Sequence, residues 1–396
     1  MNQHPIRVAH VITRMVLGGA QENTVQTCDL LRRAHGWDVT LFTGPPIGPE
    51  GELLGDVRRR GIPCTLIPHM RRSVNPCLDL LAFHDLVRRF RQLRPAIVHT
   101  HSSKAGLLGR LAARAARVPV VVHHIRGLPF HPYAPWYANA AFIAAERCAA
   151  AATDRFACVA DAMTRGAVGA GLAPPDRFCV IRSGMDVDAY DAAAGQREAV
   201  REHYGFAPDD IVVGKIARLF HLKGHGFVIR AGVRLIEHCP QVKFLFVGDG
   251  ILRDELADLA RSLGILHRIA FAGLVPPERI PATMSAMDMV VHASLREGLA
   301  RVLVQGLLSR KPVVTYDLDG APEVIEDMVT GRLVPAESVD GLADALLWCI
   351  EHPAESAAIA EAGRRRVADE FRIEETVRQT DRMYRELLAQ KGLACP

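Results

Sequence analysis

Two side chains, Glu297 and Gln305, lie in a segment of this 396-residue chain that is suited to binding an anion. The segment, residues 294–307, reads SLREGLARVLVQGL and follows an apolar, strand-like run at 289–293. Its Glu-Gly turn and apolar helix pattern predict a glycine-opened helix start, which offers free backbone N–H groups and a positive dipole end to a phosphate. The two side chains are eight residues apart. That spacing is a little over two helical turns of about 3.6 residues, so we expect both to face one cleft.

Two basic side chains, Arg218 and Lys223, follow a strand-like run at residues 211–217. Arginine presents a planar fork to phosphate oxygens, and lysine presents a mobile point charge. Fixed cations of this kind stabilise the negative charge that builds on a diphosphate leaving group, so no metal is strictly required. The alternative is a pair of solvated surface charges. Their place at a strand end, with the Glu297 segment downstream, favours a diphosphate site.

The elements that must position these residues alternate along the whole chain. In the first half, helical patterns lie between strand-like runs at residues 6–12, 37–42, 63–67, 96–100 and 119–125. The alternation restarts with runs at 211–217, 242–247, 268–272, 289–292 and 312–316. This order is typical of a parallel sheet covered by helices on both faces.

The predicted fold class is therefore α/β, with two doubly wound, Rossmann-like domains. We expect one domain at residues 1–186 and a second at residues 187–372. A long amphipathic helix at 373–396 is expected to pack back on the first domain. Ligands of open α/β sheets bind beyond the carboxyl ends of the strands. Two such domains facing each other would leave a cleft suited to a reaction between two substrates.

An ordered set of motifs resembles glycosyltransferase family four, whose members are retaining enzymes of the two-domain GT-B fold. In the second half these motifs are Arg218-(x4)-Lys223-Gly224, Gly248-Asp-Gly, Ala272-Gly-Leu-Val and Ser-Leu-Arg-Glu-Gly at 294–298. In the first half they are Leu17-Gly-Gly-Ala-Gln-Glu, Ile97-Val-His-Thr-His-Ser and Ser183-Gly-Met-Asp. The resemblance covers essentially the whole chain.

The resemblance implies that residues 1–186 form the acceptor-side domain and residues 187–372 the nucleotide-sugar-binding domain. It also implies a role for each matching residue. Arg218 and Lys223 would grip the donor diphosphate, Glu297 would contact the donor sugar, and Gln305 would bind the ribose hydroxyls. The backbone would supply the remaining donor contacts. The donor phosphates would bind the N–H groups of Gly298, Leu299, Ala300 and Arg301, and the nucleobase would lie near Gly273, Leu274 and Val275. Gly18 and Gly19 would let the backbone of the first domain approach the diphosphate. Closure of the domains would complete the site.

Two positions depart from the family pattern. Gln305 replaces the second of two glutamates; an amide still hydrogen bonds to ribose but loses the charge-assisted part. Arg126 stands where the family commonly has a histidine. An arginine cannot act as a base, so we expect it to stabilise charge or to lower activity. The catalytic set implied by the resemblance is Glu297, Arg126, Lys223 and Arg218. His101 and His124 are either packed histidines or contacts to the acceptor.

Composition and charge argue against several other classes of function. The net charge of +4 gives no argument for nucleic acid. Nine dispersed cysteines and polar residues 1–5 are typical of a cytoplasmic protein with reduced thiols. The pair Asp317 and Asp319 resembles a metal-binding Asp-x-Asp, but its position favours a loop near the donor; no metal and no cofactor are expected. The arginine runs of the first domain and the aromatic residues 130–136 are either solvated surface or a contact to anionic lipid at the inner membrane face.

The sequence thus predicts a retaining transfer of sugar from a nucleotide diphosphate donor, with a UDP-sugar expected first, to a hydroxyl acceptor. The expected acceptor is a lipid-linked glycan of surface polysaccharide synthesis. Two alternatives stay open: a nucleotide-sugar epimerase of the same fold, which would act on the donor alone, and a non-catalytic relative that binds nucleotide.

Overall fold

The computed structural model describes residues 6–48 and 51–393, and these residues form two α/β units. The polar residues 1–5, on which part of the cytoplasmic expectation depends, lie outside the described residues. Unit 1 comprises the chain up to Met185 together with the residues from Ile373 onward, and unit 2 is Asp186–Arg372. Within the described ranges, no helix is both long enough and apolar enough to span a membrane.

The described part of unit 1 is built on a parallel sheet of seven strands with helices on both faces. Its strands are β1 (Arg7–Arg14), β2 (Asp38–Gly44), β3 (Cys64–Leu66), β4 (Ile97–His101), β5 (Val120–Ile125), β6 (Arg155–Cys158) and β7 (Phe178–Val180). Its first six helices are α1 (Gly19–His35), α2 (Leu54–Arg59), α3 (Pro76–Leu93), α4 (Ser103–Ala115), α5 (Trp136–Ala150) and α6 (Asp161–Gly169). The strand order is β3-β2-β1-β4-β5-β6-β7.

Unit 2, which lies wholly within the described residues, repeats this design with six parallel strands. They are β8 (Ile211–Ile216), β9 (Val242–Val247), β10 (Ile269–Gly273), β11 (Met289–His292), β12 (Val313–Tyr316) and β13 (Arg332–Val334). Its helices are α7 (Asp188–Ala192), α8 (Arg197–Tyr204), α9 (His225–His238), α10 (Arg253–Ser262), α11 (Ile280–Ser285), α12 (Arg301–Leu308), α13 (Val339–Glu351) and α14 (Pro353–Val367). The strand order is β10-β9-β8-β11-β12-β13.

The last helix, α15 (Ile373–Gln390), belongs to unit 1. Its apolar stripe, which includes Val377, Tyr384 and Leu388, is buried in the core cluster formed around β1 and α1. The Thr376 hydroxyl accepts a hydrogen bond of 2.8 Å from the Gly184 N–H, which fixes the start of the helix.

Each sheet reverses its strand order once, between β1 and β4 in unit 1 and between β8 and β11 in unit 2. In doubly wound proteins, ligands bind beyond the carboxyl ends of the strands at the point where the strand order reverses. The α/β prediction with two Rossmann-like units is confirmed. Arg218 and Lys223 follow β8, and Glu297 follows β11, so all three leave the reversal point of unit 2.

Candidate active site

The connection after β8 and the connection after β11 lie side by side in unit 2. The Leu222 carbonyl accepts hydrogen bonds from the Leu295 N–H (2.8 Å) and from the Ser294 hydroxyl (3.0 Å). Gly224 makes this close approach possible, because a Cβ atom there would lie 1.7 Å from the Ala293 carbonyl oxygen. Its φ of +69° also favours glycine. The two loops therefore bring Lys223 and Glu297 together, as the sequence analysis required.

Lys223 and Glu297 form an ion pair at this edge of the sheet. The lysine Nζ lies 2.5 Å from Glu297 Oε1, and His292 Nε2 lies 3.3 Å from the same oxygen. Burial alone would raise the pKa of Glu297, but the charge of Lys223 and the hydrogen bond from His292 hold it well below its ordinary value. The carboxylate is thus ionised, and about a quarter of its side chain remains exposed for a ligand.

The helix that follows Glu297 begins later than predicted. α12 begins at Arg301, so Gly298, Leu299 and Ala300 form an irregular turn rather than a first helical turn. The spacing argument that placed Glu297 and Gln305 on one helix is therefore wrong, because Glu297 is not helical. The backbone of this turn still leads directly into the helix start, where the first N–H groups have no partner within the helix.

Asp319 holds the backbone of the Glu297 loop. Its Oδ2 accepts a hydrogen bond of 2.7 Å from the Glu297 N–H, and the Gly320 N–H donates to the Gly298 carbonyl at 3.0 Å. Burial raises the pKa of Asp319. The structure thus agrees with the interpretation of Asp317-Leu-Asp319 as a loop near the predicted donor residues.

The remaining predicted donor residues lie on neighbouring connections of unit 2. The Arg218 guanidinium stacks over the Phe220 ring at 5.1 Å, which fixes its direction. After β10, the Gly273 carbonyl accepts a hydrogen bond of 2.8 Å from the Gly248 N–H. Gly248 has a φ of +129°, and a Cβ atom there would lie 2.2 Å from the Ala217 carbonyl oxygen, so only glycine fits.

Leu274 and Val275 continue from Gly273 into an irregular connection. The Leu274 side chain is 38% exposed, so it is available to contact a flat ligand such as a base. These contacts to a nucleobase stay a prediction.

Gln305 is buried in the second turn of α12, with 8% of its surface exposed. We expect Gln305→Glu to lower the Kd for UDP by about fivefold, because a charged acceptor makes hydrogen bonds to ribose hydroxyls roughly twice as strong. Gln305→Ala should raise the Kd by a similar factor. Isothermal titration calorimetry with UDP checks both. Equal affinity in all three proteins would show that Gln305 does not contact the nucleotide.

A buried lysine that the sequence analysis did not single out lies behind these loops. Lys215, near the carboxyl end of β8, has no exposed surface, and its Nζ has no hydrogen-bond partner among the residues that the structure describes. Burial, with the nearby charge of Lys223, lowers the pKa of Lys215 to about 7, whereas Glu297 raises it. A charged residue inside an otherwise apolar strand, Ile-Val-Val-Gly-Lys-Ile, was the signal that could have identified it.

Lys215 should make stability depend on pH. The unfolded chain keeps this proton up to about pH 10.5, whereas the folded protein releases it above about pH 7. The unfolded state binds more protons between these values, so the free energy of unfolding rises with pH there, by up to about 1.4 kcal/mol per unit. Stability from this group is lost as the pH falls towards 7.

Lys215→Met should remove that slope. Urea unfolding at pH 7 and pH 9 measures it, and the difference between wild type and variant removes the contribution of other groups. An identical increase in both proteins would show that Lys215 keeps its proton throughout this range.

Unit 1 carries a pocket beyond the ends of β4 and β5. Arg126 and His124 line it together with Ser102, Leu128 and Glu146. The Arg126 Nη1 donates a hydrogen bond of 2.7 Å to the Ser183 hydroxyl. Burial and the charge of Arg126 keep the pKa of His124 well below its ordinary value, so this imidazole is neutral. Arg126 and His124 therefore line one pocket, whereas His101, the other predicted acceptor residue, is not among its lining residues.

His101 lies deeper, in a buried network of three histidines and Tyr384. His101 Nε2 is 3.0 Å from His10 Nδ1, and the Tyr384 hydroxyl is 3.1 Å from His10 Nε2 and 2.6 Å from His99 Nδ1. Burial lowers the pKa of all three histidines, so the rings are neutral.

The same histidines have donor nitrogens within 4.8 Å of one another, which is compatible with a metal site. However, His101 stacks on His10 with an interplanar angle of 17° and on His99 with one of 28°. Stacked rings direct their nitrogens side by side rather than towards one ion, and hydrogen bonds already engage several of these nitrogens. We interpret the cluster as hydrogen-bonded packing. The absence of a metal requirement stays a prediction.

Gly18 and Gly19 lie at the start of α1, after β1. The Gly18 carbonyl accepts the first helical hydrogen bond, from the Glu22 N–H at 3.0 Å. The glycine loop thus opens the seventeen-residue helix α1 at the reversal point of the unit 1 sheet, which is the position that the predicted approach to an anion requires.

Comparison with known proteins gives the class of this fold. Anabaena HepE in complex with UDP-glucose superimposes with a TM-score of 0.81 at 23% identity, covering 96% of this chain and 100% of that chain. Two parallel-sheet units of this kind define the GT-B fold.

Sequence comparison gives the family. Residues 18–184 match the family described as "Glycosyl transferase 4-like domain", and residues 196–366 match "Glycosyl transferases group 1". The alpha-D-kanosaminyltransferase of Streptomyces kanamyceticus is 30% identical over 377 residues, which cover 88% of this chain and 94% of that protein. The UDP-Gal:alpha-D-GlcNAc-diphosphoundecaprenol alpha-1,3-galactosyltransferase of Escherichia coli is 25% identical over 389 residues, 98% of each chain. The chain belongs to the GT4-type glycosyltransferases, enzymes that transfer sugars.

Proposed function

We propose that this chain is a retaining glycosyltransferase that moves a sugar from a UDP-sugar to a hydroxyl of a lipid-linked glycan. The observation that carries the proposal is the Lys223–Glu297 pair at the reversal point of the unit 2 sheet, with Arg218 on the same connection as Lys223. The bound UDP-glucose of HepE supports the choice of donor. The diphosphoundecaprenol substrate in the name of the Escherichia coli relative supports the choice of acceptor.

The chemistry of the donor site follows from its charges. As the bond between sugar and diphosphate breaks, negative charge grows on the phosphate oxygens, and Arg218 and Lys223 stabilise it without reorganising. The Lys223 ammonium has three hydrogen-bond donors, so it can donate to Glu297 and to a phosphate oxygen at the same time. Glu297, held ionised, accepts hydrogen bonds from sugar hydroxyls and orients the ring. These roles need no metal.

The acceptor chemistry is assigned to the pocket of unit 1. The neutral His124 has a ring nitrogen, Nε2, with no hydrogen-bond partner within the described ranges. This nitrogen is suited to accept a hydrogen bond from an incoming hydroxyl. Arg126 stays protonated and contributes charge rather than base catalysis.

A screen of nucleotide sugars by thermal shift tests the donor assignment, since a ligand that binds only the folded state raises its stability by mass action. UDP-sugars should raise the melting temperature more than GDP-, ADP- or TDP-sugars. A preference for another nucleotide would replace UDP in the proposal.

Incubation of the protein with the preferred donor alone then separates transfer from epimerisation. The proposal predicts that the donor sugar stays unchanged until a lipid-linked acceptor is added. Isomerised donor without acceptor would instead show an epimerase, and binding without consumption under every acceptor would show a non-catalytic relative.

A further inference from the structure

Lys215 is a buried amine in the strand that leads to Lys223. It is the last residue but one of β8, and its enclosed Nζ has no hydrogen-bond partner in the described part of the chain. The neighbouring strand β11 ends at His292, whose Nε2 lies 3.3 Å from Glu297 Oε1. The charges of the ion pair reach Lys215: that of Lys223 disfavours its protonation and that of Glu297 favours it. The amine therefore responds to any change of charge at the pair.

Two buried histidines share these surroundings with Lys215. His225, the first residue of α9, packs on the ring of Phe246 at 5.5 Å, and Phe246 is the residue of β9 that pairs with Lys215. Burial and the charge of Lys215 keep the pKa of His225 well below its ordinary value, and burial is the main cause that lowers the pKa of His292 to about 4. Both imidazoles are neutral near pH 7. The charges that decide the state of Lys215 are therefore those of Lys223 and Glu297.

The balance of charge at the pair changes when a nucleoside diphosphate binds. Before binding, the charges of Lys223 and Glu297 offset each other, and an ammonium at Lys215 would be buried without a partner, which is costly. A diphosphate adds negative charge beside Lys223 and shares its ammonium with Glu297. Both changes favour a positive charge at Lys215, because nearby negative charge stabilises the protonated form of an amine.

We propose that Lys215 takes up a proton from the solvent when a nucleoside diphosphate binds beside Lys223 and Glu297. The charged amine then compensates the part of the Lys223 charge that Glu297 loses to the phosphates, and it keeps this carboxylate in place for the sugar. Lys215 is a positioning residue, because it is enclosed and acts through Glu297. The proton returns to the solvent when the diphosphate leaves. The inference rests on the proposed donor and adds a proton that accompanies its binding.

Isothermal titration calorimetry of the wild-type chain with UDP at pH 8 measures this proton. In two buffers of different ionisation enthalpy, the apparent binding enthalpies differ in proportion to the number of protons taken up. The pKa of Lys215 is about 7 in the free protein, so most of the amine is neutral at pH 8. We expect an uptake of about half a proton or more per UDP bound. This measurement needs no variant.

The affinity for UDP should depend on pH in the matching direction. Protonation of Lys215 is favoured in the complex, so binding weakens as the pH rises above about 7. Between pH 7.5 and pH 8.5 the Kd of the wild type should rise by about fivefold. Lys215→Met should show no proton uptake and a nearly constant Kd. Its Kd should exceed that of the wild type by about tenfold at pH 7.5 and by only about twofold at pH 8.5.

Lys311→Met is a matched control. Lys311 is a half-buried lysine of the same unit, and burial is the main cause that lowers its pKa to about 8. It lies between α12 and β12, before the strand begins, whereas the donor site lies beyond the ends of the strands. Lys311→Met should keep the proton uptake and the pH profile of the wild type. Circular dichroism confirms that each variant is folded.

Three results would overturn the inference and leave the donor site in place. They are UDP binding to the wild type without proton uptake, wild-type uptake in folded Lys215→Met, and an equal loss of uptake in both methionine variants. A wild-type protein that does not bind UDP would contradict the donor assignment itself, and the inference would fall with it.

Discussion

We expect Lys223→Ala to lower turnover of the donor by on the order of a thousandfold and to raise the Kd for UDP by about tenfold or more. Lys223 follows β8 at the reversal point of the sheet, and its Nζ lies 2.5 Å from Glu297 Oε1. The substitution removes a charge that should stabilise the leaving diphosphate, and it leaves Glu297 without its ion pair. The loss should be larger in kcat/KM than in UDP affinity, because phosphate charge grows in the transition state.

Lys243→Ala is a matched control for this variant. Lys243 lies on β9 of the same unit and is half-buried, but it is not part of the connections after β8 and β11. Its loss should leave turnover and UDP affinity within about twofold of wild type, as is usual for a residue away from the site. Full turnover in a folded Lys223→Ala protein would show that the diphosphate binds elsewhere.

Glu297→Gln should lower kcat by on the order of a hundredfold while changing the Kd for UDP by less than about threefold. Glutamine keeps the shape of the side chain but loses the charge that Lys223 and His292 stabilise. UDP lacks the transferred sugar, so a residue that acts on that sugar should affect turnover and not the affinity for UDP. Steady-state kinetics and calorimetry on the same preparation separate the two effects.

Glu278→Gln is a matched control for Glu297→Gln, because Glu278 is exposed in the connection after β10. Glu278→Gln should leave both quantities unchanged. If Glu297→Gln instead weakened UDP binding as strongly as turnover, the carboxylate would act mainly by positioning Lys223 on the phosphates.

The predicted fold followed from the alternation of apolar runs and helical patterns, because that order leaves few arrangements other than parallel sheets covered by helices. The juxtaposition of Lys223 and Glu297 has a different origin. These residues are 74 positions apart, and they meet because β8 and β11 are neighbours at the point where the strand order reverses. The resemblance to a known family, rather than residue spacing, supplied that information.

Other features depend on three-dimensional detail that one sequence does not contain. The Glu-Gly turn indicated a helix start, but the side chain of Asp319 binds the Glu297 N–H and the helix begins only at Arg301. Lys215 is a charge in an apolar strand, and its burial was not predictable from its polarity.

The histidine network was only partly predictable from the sequence. His99 and His101 alternate along β4, so they share one face of the sheet. The neighbour of His99 on β1 is His10, as the strand register shows. The alternation was readable in the sequence, whereas the pairing of β1 with β4 and the burial under Tyr384 of α15 were not.

We propose that the Lys223–Glu297 site transfers a sugar from a UDP-sugar to a hydroxyl and retains the configuration of the anomeric carbon. Proton NMR of the purified product, formed from an α-linked UDP-sugar and a lipid-linked acceptor, tests it most directly through the anomeric coupling of the new linkage. The expected product has an α linkage, which forms with the wild-type protein and is lost with Lys223→Ala. A β linkage, or a product formed equally by Lys223→Ala, would contradict it.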